Sequence, residues 1–347
     1  MSPQPGKTVR RTCRKRPGRL LKSLTLLYGA LLLLITLNNL LGPEIWWGGS
    51  LNLYLPQWIW ALPGAILLPW YLLSAPAWSG LPLLALLWVA GPLMGFCWGG
   101  IFAHAHSEPG IHLRVMTYNV KWGHRNAGAI LEEIARSKPD LILMQDSGGA
   151  LYDDLRALRQ GWNVKTLDQY TLLSRYPLSD PEVRWISPLE NHRCARCVLQ
   201  VGETPITLYD CHLMTPRWGL GSIRHPRSQG VGGLEANVAE RLLQATMLAG
   251  HLKKERGPLL VAGDFNAPQQ SLVCRKLLGA GLKDAYACAG LGYGYTYGQS
   301  TKIGRPYMRI DHILLSEDWQ VESCRVGTEE GSDHSPVIAD LFLPAGR

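Results

Sequence analysis

Residues 23–110 contain no lysine and no arginine, and their only acidic residues are Glu44 and Glu108. A soluble domain of that length carries cationic side chains on its surface, so this stretch requires another solvent, and the hydrocarbon of a bilayer fits. Three apolar segments stand out, at about residues 24–41, 57–73 and 81–102. A spanning helix needs about 20 predominantly apolar residues. The second segment is short and holds Pro63 and Pro69, so it reads as a kinked span or a re-entrant segment. Trp46, Trp47, Trp58, Trp60, Trp70, Tyr71 and Trp78 cluster at the segment ends, as an interfacial aromatic belt does. A cleaved signal peptide ahead of a soluble core accounts for the first segment and leaves the other two unexplained.

Orientation follows from the tail. Residues 1–22 carry eight Lys or Arg and no acid, and the segments 42–57 and 74–80 offer no competing cation. Positive residues stay cytoplasmic, so three spans place residue 111 onward in the periplasm or another extracytoplasmic space. A re-entrant second segment leaves it in the cytoplasm. The expected organisation is a basic cytoplasmic tail (1–22), a transmembrane region (23–104) in the plasma or inner membrane, and a catalytic domain (111–347). The formal charge of +8 lies in the tail, because residues 111–347 hold 27 Lys/Arg against 25 Asp/Glu. The basic balance is therefore a topology signal, and it does not mark the domain as a binder of nucleic acid.

From His112 the pattern changes to short β-like runs alternating with amphipathic helices. Strands are predicted over 112–120, 140–145, 170–174, 198–201, 206–211, 259–263, 310–315 and 337–343, and helices over 127–136 (with Asn126 as N-cap), at Leu151, Leu155 and Leu158, and over 235–254. Residues 215–233, rich in Gly, Pro, Arg and Ser, read as a loop. The class is α/β with substantial sheet. Cys194 and Cys197 form a lone C-x-x-C in a predicted strand, where residues three apart face opposite sides. They read as buried cysteines, not as half of a zinc site.

Polar residues close several of these strands: Asn119, Asp146, Asp210 with His212, Asp264 with Asn266, Asp311, and Asp333 with His334. Singly, an Asp or Asn there is usually a turn former. Jointly, in this order, with Gly-Asp-x-Asn at 263–266, Arg-Ile-Asp-His at 309–312 and Ser-Asp-His-Ser-Pro at 332–336, they resemble the endonuclease/exonuclease/phosphatase superfamily over residues 113–343.

The resemblance implies a four-layer sandwich, two packed mixed sheets flanked by helices, that hydrolyses phosphate esters with Mg²⁺ or Mn²⁺. It assigns Asn119, Asp146 and Asp333 to the metal, Asp264 to the attacking water as base, and Asn266 to orienting water or phosphate. It pairs His334 with Asp311 and puts His212 on a phosphate oxygen. Such chemistry needs a hard cation at the phosphoryl oxygen and an activated water, and few carboxylates suffice because Mg²⁺ keeps several waters. Whether Asp264 or His334 takes the proton stays open. The chain departs from the family at Asp146, where glutamate is usual, one methylene longer. Asp210, Arg217, Arg224 and Arg227 are candidates to contact substrate, with His225 beside them. Tyr293, Tyr295 and Tyr297 read as packing residues, with stacking on substrate the alternative.

The leading reading is a membrane-anchored phosphoesterase, phosphodiester favoured, acting on a lipid head group, nucleic acid or small molecule. An extracytoplasmic nuclease is the alternative. A phospho-ligand-binding membrane protein with a degenerate metal site is the reading from another class. No protein partner is indicated.

Overall fold

The computed structural model describes residues 16–148, 161–224, 229–328 and 330–345. The greater part of the basic tail, the expected helix at Leu151–Leu158, His225 and Arg227 lie outside the described residues. The chain divides into two compact units, one reaching to Leu37 and resuming over Gln57–Met94, the other formed by Asn38–Pro56 with Gly95 onward.

The first unit is helical: α1 (Arg19–Leu41), α3 (Leu62–Ser74) and α4 (Gly80–Trp88). Leu32, Leu67, Tyr71, Val89 and Leu93 form its small core, and the Tyr28 hydroxyl donates to the Trp60 carbonyl at 2.7 Å. Outside that core its leucines point outward, with Leu26 74%, Leu73 88% and Leu84 63% exposed. A helix apolar on all sides is stable only inside a large core or a bilayer. Two stretches, Arg19–Leu41 and Pro76–Leu93, are long and apolar enough to cross a membrane, and Trp47–Leu53 with Gln57–Ser74 passes only as a pair broken at residues 54–56. The third apolar segment ends earlier than expected. Past Leu93 the backbone leaves the helix, and at residue 97 it pairs with Gly292 (Cys97 N to Gly292 O, 2.8 Å). Residues 95–104 therefore group with the second unit, as does the segment Asn38–Pro56 with its short helix α2 (Trp47–Leu53).

The strands of the second unit are β1 Gly110–Asn119, β2 Leu141–Gln145, β3 Asn163–Leu167, β4 Tyr170–Ser174, β5 Glu182–Trp185, β6 Arg193–Val201, β7 Thr204–His212, β8 Leu259–Asp264, β9 Leu282–Asp284, β10 Asp311–Ser316, β11 Gln320–Val326 and β12 Val337–Pro344. They make two six-stranded sheets, ordered β11-β12-β1-β2-β4-β3 and β5-β6-β7-β8-β10-β9. Each sheet is mixed, with one parallel pair at its centre: β1 with β2, and β7 with β8. Strand side chains alternate between faces. Leu113 and Val115 of β1, Ile206 and Leu208 of β7, Leu260 of β8 and Leu341 of β12 meet in a core between the sheets. On the outer face of the first sheet, Met116, Tyr118 and Met144 pack against Ile130 and Ile134 of α5 (Ala127–Ser137). On the outer face of the second, Tyr209, Cys211 and Val261 pack against Ala245 and Leu248, and against Val273 and Leu277. Those residues belong to two helices, Gly230–Leu252 and Leu272–Leu278. The order is helix, sheet, sheet, helix, the four-layer sandwich expected. Cys194 and Cys197 are both fully buried, on opposite faces of β6.

The loop expected at 215–233 is a correction. Arg217–Arg224 forms helix α6, and the following helix α7 (Gly230–Leu252) begins before 235. Gly219 permits the close packing of the two helices, since a Cβ there would lie 2.8 Å from Asn237 Cβ.

Candidate active site

Both parallel pairs end at the same edge of the sandwich. In open α/β sheets such carboxyl ends are where side chains are free to converge. Asn119 ends β1 opposite Gln145. His212 ends β7 opposite Asp264 of β8, and Asp264 faces Asp311, the first residue of antiparallel β10. Gly263 makes the approach of β8 possible: its φ is +142°, and a Cβ would lie 1.9 Å from the Cys211 carbonyl oxygen.

Asp264 is the hub, with 1% of its surface exposed. Its Oδ2 accepts from Asn119 Nδ2 at 3.0 Å and from Asn266 Nδ2 at 3.3 Å, and its Oδ1 accepts from the Asn266 backbone N–H at 2.8 Å. His212 Nε2 lies 3.5 Å and His334 Nε2 3.7 Å from the same Oδ2. His334 Nδ1 meets both Asp311 oxygens, at 2.9 and 3.1 Å. Asp311, His334 and Asp264 thus form a carboxylate–imidazole–carboxylate line. On the other side, His212 Nδ1 is 2.7 Å from Gln169 Oε1 and 3.5 Å from Asp146 Oδ1. Asp333 is held by the Lys121 ammonium, with Arg217 Nη2 at 3.9 Å.

Electrostatics follows this crowding. Burial opposes a charged imidazole at His334, but Asp311 and then Asp264 more than offset it and raise the group to about 10. Burial works against charge at His212 too, yet Asp146 and Asp264 outweigh it and the group is raised. Burial is the main cause that raises Asp264. At Asp333 burial is overcome by Lys121 and His334, and the carboxyl is lowered.

The donor set fits a hard divalent cation, because carboxylate and amide oxygens predominate among its donor atoms. Asp264, Asp311 and His334 offer ligand atoms within 4.8 Å of one another.

Of the other sequence candidates, Asp210 is not brought to the surface of the site. It is fully buried, accepts from Gln145 Nε2 at 2.6 Å, and is raised well above the ordinary carboxylate range by burial. Arg217 borders the site, and Arg224 lines the adjoining cleft. Lys121 and Gln169 join the site with no motif to announce them. Tyr297 sits with its ring centroid 4.8 Å from that of His334. Its alternation with Tyr293 and Tyr295 is visible in sequence, and its partner is not.

Residues 116–334 match the profile of the Endonuclease/Exonuclease/phosphatase family. The chain belongs to this family. No curated protein sequence matches it. Among solved structures, an endonuclease/exonuclease/phosphatase family protein of Bacteroides thetaiotaomicron aligns with a TM-score of 0.53 at 16% identity, covering 68% of this chain and 99% of that one. One of Bacteroides vulgatus aligns at 0.51 and 19%, covering 67% and 99%. A 3′-5′ exonuclease of Neisseria meningitidis aligns at 0.50 and 17%, covering 65% and 98%. These likenesses establish the endonuclease/exonuclease/phosphatase fold.

Proposed function

We propose that the chain is a membrane-anchored, divalent-metal-dependent phosphoesterase that hydrolyses a phosphodiester outside the cytoplasm. The observation that carries this reading is the line Asp311–His334–Asp264, with His334 Nδ1 2.9 Å from Asp311 and Nε2 3.7 Å from Asp264. An imidazole raised to about 10 is already protonated at neutral pH, so it serves as hydrogen-bond donor to the phosphoryl oxygens. Asp264, raised by burial, is then the base for water, since a proton acceptor works best with its pKa moved toward the working pH. Asn266 orients that water. His212 reaches the phosphate from the opposite side.

Asn119, Asp146 and Asp333 would hold a Mg²⁺ or Mn²⁺ ion, which would supply Lewis acidity at the phosphoryl oxygen. The cluster of Asp264, Asp311 and His334 is the rival metal site. Both Asp311 oxygens are engaged with His334, which favours a relay there. Mn²⁺ electron paramagnetic resonance separates the two: Asp333→Ala should abolish the bound-ion signal and Asp311→Ala should keep it.

Topology is supported by the segment Asn38–Pro56, which folds with residue 95 onward. Glu44 Oε2 accepts from the Leu272 N–H at 2.9 Å, and Arg275 Nη1 donates to the Leu40 carbonyl at 2.7 Å. These contacts support placing segment and domain on one side of the membrane, a reading that requires an even number of crossings between residues 56 and 95. With a cytoplasmic tail and a first span, both sit outside.

The test is hydrolysis by the full chain in detergent, with Mg²⁺ or Mn²⁺, of bis(p-nitrophenyl) phosphate, p-nitrophenyl phosphate, plasmid DNA and phospholipid. Asp264→Asn should cost about a thousandfold or more in kcat, as losses at a proton-transferring group commonly do. Equal turnover by wild type and variant sinks the mechanism. Preferred cleavage of DNA would favour the nuclease reading, which the likeness to the Neisseria exonuclease supports.

A further inference from the structure

A cleft of about 630 Å³ adjoins the catalytic centre and shares Asn266, Tyr297 and Arg217 with it. One wall comes from outside the family domain: Tyr54, Leu55 and Pro56, which close the inter-span segment. The Tyr54 hydroxyl donates to the Asn266 carbonyl at 3.3 Å, and buried Arg241 donates to the same oxygen at 2.8 Å. Leu220, Ile303, Met308 and Ile310 complete an apolar lining, while Arg217, Arg224 and Lys302 supply cations, and among the described residues none of the lining is acidic. Leu55 is 44% and Ile303 40% exposed, so apolar surface stays in water unless something covers it.

We propose that this cleft receives the alkyl part of an amphiphilic phosphate ester, a lipid, whose phosphate lies at Asp264 and His334, with the inter-span segment setting substrate specificity. The proposal rests on the phosphoesterase reading. The charge pattern suits an anion next to a hydrocarbon. Nucleobases stack on free aromatic faces, and two of the three lining tyrosines already have a face occupied: the Tyr54 ring lies under Arg241 (5.5 Å), and the Tyr297 ring lies against His334 (4.8 Å) and Arg217 (5.6 Å), which leaves Tyr307. Pro56 runs directly into the apolar stretch Gln57–Ser74, so the wall is continuous with the membrane-seeking part of the chain. Residues 111–347 alone would lack it.

The test uses full-length protein in a maltoside detergent, with methyl, butyl and hexyl phosphonate as competitive inhibitors of bis(p-nitrophenyl) phosphate hydrolysis. Affinity should rise about two- to fourfold per methylene as the chain is buried. Leu55→Ser and Ile303→Ser, each checked for unchanged thermal unfolding, should flatten that dependence. Both should leave the methyl phosphonate constant and diester kcat within about twofold, since Leu55 and Ile303 lie outside the phosphate contacts. A chain-length-independent inhibition constant overturns the proposal, as does equal weakening of all three phosphonates in both variants, or tighter competition by a short oligonucleotide than by hexyl phosphonate. If no diester is hydrolysed with any metal, the phosphoesterase reading falls. Calorimetric titration with the same phosphonates then decides the cleft independently: chain-length-dependent binding upholds it and its absence overturns it.

Discussion

Asp146 departs from the usual glutamate, and its backbone offers a reason. Its φ is +47°, a left-handed conformation that aspartate and asparagine tolerate better than longer side chains. Asp146→Asn keeps the backbone and removes the charge, so Mn²⁺ affinity should fall by about tenfold or more, at least what the loss of an outer partner costs a metal site. Calorimetric Mn²⁺ titration checks this. His334 gives the pH dependence. Its pKa is raised above the ordinary histidine value, so the protonated form is held below about 10 and lost above it. The kcat should persist through neutral pH and fall as pH passes about 10. Asp311→Asn should move that fall to lower pH, read from kcat profiles of both proteins. The motif residues are legible in sequence because each closes a strand. Lys121, Gln169 and the place of Tyr297 are not, because what makes them part of the site is a partner far along the chain, as Asp333 is for Lys121.

At the scale of elements, the strands legible in sequence are the buried ones with long apolar runs. The edge strands β3, β5 and β9, and half-exposed β11, escape because pairing, not pattern, makes them strands; β5 runs exposed then half-buried along its length. Helix α6 escapes because its glycines argue for a loop until Asn237 is seen packed on Gly219. Behind the site, Asp284 of β9 accepts from Arg309 Nη1 at 2.7 Å and is 2.9 Å from His312 Nδ1, while His312 Nε2 lies 3.0 Å from the Ala267 carbonyl. Both His312 nitrogens therefore face acceptors, and the group is raised to about 10 against its burial, with Cys274 and Asp284 the opposing causes. A raised folded pKa stabilises fully below the unfolded value and ceases to as pH rises through the folded one, so the thermal midpoint should decline as pH approaches about 10. Asp284→Asn should remove that slope and cost about 3 kcal/mol, since it strips a buried cation of its partner. Thermal unfolding across pH in detergent measures both.

For the whole molecule, the cation-free apolar region is legible in the sequence, while the grouping of Asn38–Pro56 with residue 95 onward is a tertiary fact that no local pattern carries. On the proposed reading, in which segment and domain share one side of the membrane, the chain crosses twice between residues 56 and 95. Fusions of a reporter active only outside the cytoplasm should be active after Pro56 and after Arg347 and inactive after Ser79. Activity after Ser79 would overturn the two-crossing path between residues 56 and 95.

The place of β12 bears on how the protein is made. It lies between β11 and β1, pairing Val337 through Pro344 with Thr117 back to Gly110. The seam between β1 and β12 therefore stays open until Val337–Pro344 is made, long after the apolar helices and β1 itself. Until then β1 is unpaired on one flank, with an adhesive strand edge exposed. Completion of this sheet therefore waits on β12, and the unpaired β1 edge is the place where an unfinished domain would associate with another chain.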